Sequence, residues 1–222
     1  MRQHNKTLLI YGMRTYLGRE VARFGRAMGH RIVAVVDGQR PELDHPWMHG
    51  VQWTTERTPL EDTWPEGPPG AVIYCDTVLS GAPRQFRWVL ADRPHQLAQR
   101  AAGMDRRPRF VLRSTVHQPL LPSRFTAEHH RGERLVTNTG VDTAVLRVPI
   151  LYGPDRPDST AAMAIAEGLR RIPLPSVREN IPPCLRVETA ALAALRAALE
   201  PDLIGTFDPE EIARIGDVMI PQ

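Results

Sequence analysis

The turn Gly12-Met13-Arg14-Thr15-Tyr16-Leu17-Gly18 follows the apolar run Thr7–Tyr11 and leads into apolar positions at helical spacing, Leu17, Val21, Phe24 and Met28. A strand-to-helix turn of this kind aims successive backbone N–H groups at an anion. Gly12 permits the tight turn, Gly18 permits close packing of helix on strand, and the amides around Thr15, Tyr16 and Leu17 face a pyrophosphate. Asp37 stands nineteen residues beyond Gly18, closing the β-branched run Arg31–Val36, where a carboxylate accepts hydrogen bonds from an adenosine ribose. Seen without those flanking elements, the same glycines are an ordinary strand-to-helix link.

Three further groups carry chemistry. Cys75-Asp76 follows the apolar run Ala71–Cys75; Asp76 either repels a pyrophosphate or serves as a general base, and Cys75 reads as a small buried apolar residue. Arg14 and Arg40 are placed to offset that carboxylate or to meet a 2′-phosphate, which leaves NAD and NADP both open. Thr115 ends the run Phe110–Thr115, with His117 two residues on and His129 and His130 on the next helix; a Thr115/His129 or Thr115/His117 acid/base pair works near neutral pH. The competing reading of Glu128–Arg134 is a solvated or interface face. No metal site is expected, because Asp44, His45 and His49 have no further ligands at a recognisable spacing.

The elements that must position these residues alternate. Strands at Thr7–Tyr11, Arg31–Val36, Ala71–Cys75, Arg109–Leu112 and Thr143–Arg147 are separated by helices, among them Gln85–Ala102, with a break expected at Pro94, and Ser123–Thr139. Short apolar strands alternating with helices predict an α/β fold, a Rossmann-like doubly wound parallel sheet. Two more helices, about 161–171 and 187–199, complete a small C-terminal helical substrate region. The expected organisation is one domain over 1–222, with a nucleotide-binding core at 7–154 and the small region at 155–222.

Composition excludes several classes. With 42% hydrophobic and 24% charged residues the chain is an ordinary globular sequence, not a disordered or fibrous one. Its apolar runs are too short for a membrane span, and no secretory leader is read at the N-terminus, so a cytoplasmic protein is expected. Cys75 and Cys184 have neither disulfide-scaffold nor metal spacing. The net charge of +3 comes from arginines scattered singly along the chain, Lys6 being the only lysine; no nucleic-acid partner is expected.

Gly12–Gly18 resembles the Gly-x-x-Gly-x-x-Gly turn of extended and atypical short-chain dehydrogenases/reductases, the group that includes NAD(P)-dependent epimerases and dehydratases. Leu146-Arg147-Val148-Pro149-Ile150-Leu151-Tyr152-Gly153-Pro154 is similar to that family's Leu-Arg-Pro-x-x-x-Tyr-Gly-Pro segment, and Phe110–Thr115 to the strand ending in its active-site Ser/Thr. The resemblance implies an NAD or NADP cofactor, Pro149 and Leu151 at its nicotinamide end, Thr115 (or Ser114) in the active site, a small-molecule substrate, and a homodimer through the helices at 85–102 and 123–139, with Phe125, Leu135 and Val136 as apolar contacts. Two departures stand out. Thr15 replaces the middle glycine, and Phe125 and His129 occupy the positions of the Tyr-x-x-x-Lys pair. Phe125 cannot exchange a proton, so the usual hydride-coupled proton transfer cannot run in its usual form. Three readings follow: an NAD(P)-binding epimerase/dehydratase-like enzyme with non-standard acid/base residues, a cofactor- or metabolite-sensing protein without catalysis, and a non-redox enzyme on the same scaffold.

Overall fold

The computed structural model describes residues 6–37, 45–56, 64, 68–78, 81–116, 123–154, 164, 168 and 184–217. Arg40, His117 and the expected helix at 161–171 lie outside these residues, apart from the isolated positions 164 and 168. Seven parallel strands form the main sheet: β1 (Thr7–Tyr11), β2 (Arg31–Val36), β3 (Gln52–Thr55), β4 (Ala71–Tyr74), β5 (Arg109–Thr115), β6 (Thr143–Val148) and β9 (Gly205–Phe207). Their order is β3-β2-β1-β4-β5-β6-β9, and β7 (Leu151–Tyr152) with β8 (Leu185–Arg186) makes a separate two-stranded pair. The order reverses between β1 and β4, which opens a crevice at the carboxyl edge there.

Near-continuous apolar strands arise because both faces of a parallel sheet are covered. On one face Leu8, Ile10, Ile32, Ile73, Val111 and Leu146 pack under α1 (Tyr16–Ala27), α5 (Val187–Leu199) and α6 (Pro209–Gly216). On the other, Leu9, Tyr11, Val33, Val72, Phe110 and Val145 pack under α3 (Arg93–Ala102) and α4 (Ser123–Thr137). The buried face of α5 is mostly alanine, Ala190, Ala191, Ala193, Ala194, Ala197 and Ala198, which lets the helix lie close to the sheet. The sheet therefore does not end at residue 154: β9 is its seventh strand and α5 covers it, so this part of the C-terminal region is built into the core.

Pro94 does not break its helix. Residues 83–102 run continuously as α2 (Pro83–Arg87), a π-helical turn (Trp88–Asp92) and α3, with Pro94 in the first turn of α3. Proline removes an N–H, and the carbonyls this would orphan find other uses. That of Val89 accepts from the Tyr74 hydroxyl at 2.6 Å, and that of Leu90 lies so close to Gly132 of α4 that a Cβ there would collide with it.

Candidate functional site

The glycine turn sits at the mouth of the β1/β4 crevice. Gly12 has a φ of 88°, and a Cβ there would fall 2.5 Å from the Asp76 amide nitrogen. A Cβ on Gly18 would strike the Gly12 carbonyl. Both glycines are thus required by the approach of α1 to the ends of β1 and β4. Thr15, in contrast, has ordinary extended geometry (φ −82°, ψ 153°) and caps α1: its hydroxyl donates to the Gly12 carbonyl at 2.7 Å and accepts from the Gly18 amide at 3.0 Å. The middle glycine's place therefore needs no glycine conformation. The cap takes the Gly18 amide, while the amides of Tyr16 and Leu17 precede it in the opening turn. Thr15→Ala is expected to cost about 1 kcal/mol of stability, read from urea unfolding.

Beside this turn lies an ion cluster that the sequence did not disclose. Arg93, 3% exposed, donates from Nε to Glu56 at 2.8 Å and from Nη1 to Asp76 at 2.7 Å, joining the carboxyl ends of β3 and β4. Its guanidinium lies 5.3 Å from the Tyr11 ring centre and 5.9 Å from that of Tyr74. Burial pushes the carboxyls of Asp76 and Glu56 above their usual range against the pull of Arg93, and the nearby charge of Asp37 pushes the same way. Asp37 itself is exposed at the end of β2. Burial alone would lower Arg93; the carboxylates of Glu56 and Asp76 outweigh it. Burial also pushes the Cys75 thiol up to about 12, so it is a protonated core residue.

At the other end of the crevice, Ser114 and Thr115 point to opposite faces of β5. The Ser114 hydroxyl donates to Glu133 on α4 at 2.5 Å, and Arg147 of β6 pairs with the same carboxylate at 2.8 Å. The Thr115 hydroxyl donates to the Val116 carbonyl at 3.1 Å. His130, not His129, reaches Thr115: its Nε2 donates to the Thr115 carbonyl at 3.3 Å. His129 is 2% exposed and packs edge-on against Phe125, ring centres 4.6 Å apart, while Phe86 meets Phe125 from the other side. Burial, with the charges of Arg113 and His130 adding to it, holds His129 well below the ordinary imidazole range, and its Nε2 has no hydrogen-bond partner among the described residues. Arg113 was not singled out from the sequence; it precedes Thr115 by two on the same side of β5, close enough to act on both His129 and Cys75. Tyr74 is sealed by burial, which raises its hydroxyl well above the usual value.

Pro149 is buried and Leu151 half-buried on the chain leaving β6. Tyr16 bridges from α1 to this segment, its hydroxyl donating to the Pro154 carbonyl at 2.5 Å. Arg14 is exposed and lines a cavity on the outer flank of α1. Of the apolar residues expected at a dimer face, Phe125 and Val136 are buried within the chain's own core and Leu135 keeps partial exposure. Among the described residues there is no cluster of metal-ligating side chains and no helix long and apolar enough to cross a membrane.

This architecture, a parallel sheet reversing beside a glycine turn, is the fold of the NAD-binding epimerases and short-chain dehydrogenases/reductases. A candidate epimerase from Burkholderia cenocepacia superposes with a TM-score of 0.69 at 14% identity, covering 95% of this chain and 79% of its own. Bordetella bronchiseptica WbmG, solved with NAD, gives 0.65 at 15% identity over 97% of this chain and 77% of its own. In sequence, an uncharacterized chloroplastic protein of Arabidopsis thaliana is 24% identical over 229 residues, 94% of this chain and 76% of that one. No protein-family model matches the chain.

Proposed function

We propose that this chain is an NAD(P)-binding, epimerase/dehydratase-like protein that acts on a small metabolite without a Tyr/Lys pair. The observation that carries this reading is the turn itself: Gly12 and Gly18 bring the opening amides of α1 to the crevice where strand order reverses. NAD-bound neighbours such as WbmG support it. The residues present fit such a group. Tyr16 and Leu17 would hold the pyrophosphate through their amides, Asp37 the adenosine ribose, and Pro149 and Leu151 the nicotinamide end. Asp76, which by itself would oppose phosphates, is neutralised by Arg93 at 2.7 Å. When bound, the nicotinamide supplies hydride transfer. Around it this chain offers Thr115, with His130 fixed against its carbonyl, in place of Phe125 and His129, which are packed into an aromatic cluster. His117 remains a further acid/base candidate from the sequence.

Arg93 pairs with Glu56 and Asp76, and the nearby charge of Asp37 makes a third carboxylate at the adenosine corner, so a 2′-phosphate meets repulsion there. Calorimetric titration with NAD, NADH, NADP and NADPH is expected to show binding of NAD(H) at least tenfold tighter than NADP(H). Absence of binding by all four overturns the reading. The burial of Phe125 and His129 favours one second reading, a cofactor-sensing protein without turnover. Hydride exchange with candidate metabolites that disappears in Thr115→Ala supports the enzyme; cofactor binding with no turnover supports the sensor.

A further inference from the structure

We propose a second ligand site on the outer flank of α1, a cavity of about 420 Å³ suited to a phosphate-bearing planar heterocycle of mononucleotide size. The volume is in the range of small-molecule sites. One wall is the helical row Tyr16, Arg19, Glu20 and Arg23, which turns away from Leu17, Val21 and Ala22 on the sheet side of the same helix. Arg14, His45, Trp47 and Pro154 also line it among the described residues. The carboxyl edge and the flank share Arg14 and Tyr16 but are otherwise built from different residues, so this proposal does not depend on cofactor binding at the crevice.

The lining chemistry selects the ligand. Among the described lining residues there are three guanidinium groups and one carboxylate. Glu20 is engaged by Arg23, whose Nε donates to it at 2.9 Å, while Arg19 makes no ion pair with any described residue. Arg19 thus gives the described lining a cation without a carboxylate partner, and arginine binds phosphate through paired donors. The aromatic walls are held in place. Trp47 packs against the hydrophobic core from the 3₁₀ turn Pro46–Gly50, and Tyr16 is tied at its hydroxyl to Pro154. A fixed indole beside arginines accepts a flat ring by stacking while the arginines take its anion. A free anion would make no use of the rings, and an uncharged heterocycle none of the cations.

Titration of the full chain with AMP, followed by calorimetry and tryptophan fluorescence, tests this. One AMP per chain is expected to bind with or without saturating NAD, at least tenfold tighter than inorganic phosphate or adenosine. Arg19→Gln with Arg23→Gln is expected to weaken AMP at least tenfold and leave any NAD affinity within twofold; Trp47→Phe removes the fluorescence change. Both arginines are half-exposed, and circular dichroism melts confirm that the double variant is folded. Competition of AMP with NAD, equal binding of inorganic phosphate and AMP, unchanged AMP affinity in the double variant, or no AMP binding each overturns the proposal. If AMP binds as expected while no dinucleotide does, the flank site stands and the cofactor reading falls.

Discussion

An Arg93→Met variant is expected to lose about 3–5 kcal/mol of unfolding free energy at neutral pH, the penalty for leaving buried carboxylates without their cation. Glu56 and Asp76 converge on this one side chain with little exposure, 15% and 20% respectively, and the methionine has no donor to offer them. Urea unfolding gives the number. The pH dependence gives a second signature. Both carboxyls are raised in the folded protein by burial, so the folded state holds protons that the unfolded state has released. Their contribution is most favourable below the ordinary carboxylate range, near pH 4, and declines as pH rises through the raised folded values. Removing Arg93 removes the opposing pull, so the stability gap between variant and parent should narrow on acidification. Adding Glu56→Gln and Asp76→Asn should restore much of the loss. A loss under 1 kcal/mol would show that the cluster is wet and contributes little. The same variant is expected to bind NAD more weakly, because Asp76 is left as a bare charge beside the phosphate turn.

Acidification from pH 7 to pH 5 is expected to destabilise the protein through His129 and His30. Both imidazoles are lowered by burial, His129 with Arg113 and His130 adding to the effect and His30 with Lys6. A base lowered in the folded state is neutral there while the unfolded chain takes a proton. Its contribution is complete above the unfolded value near 6.5 and is lost as pH falls below it. The slope reaches up to about 1.4 kcal/mol per pH unit for each histidine. His129→Phe, which suits the contact with Phe125, should flatten the slope by about half; an unchanged slope would show that His129 takes up its proton as readily in the folded protein as in the unfolded chain. The result also bears on chemistry, because a neutral, enclosed His129 has no positive charge to lend to a neighbouring acid/base group.

The sequence by itself determined five central strands, the glycine turn and the open parallel sheet, because each is written in local pattern. Apolar runs such as Leu8–Tyr11 and Ile32–Val36 are strand-length and end in turn residues, and Gly12 and Gly18 are needed wherever a helix must start hard against a strand. Spacing along α4 also put Phe125 and His129 on one face of the helix, and both are buried there. Only the tertiary structure decided what those residues touch. A break is expected at Pro94 from the sequence, which carries no signal for its neighbour Arg93; the π-helical turn instead carried the chain through and Arg93 closed the ends of two strands. From the sequence His129 reads as a catalytic base or as part of a solvated or interface face, and packing against Phe125 made it neither exposed nor charged. The physical reason is common to both. Backbone periodicity depends on neighbours within one turn or one strand, whereas the partner and charge of a side chain depend on burial among residues far away in the chain.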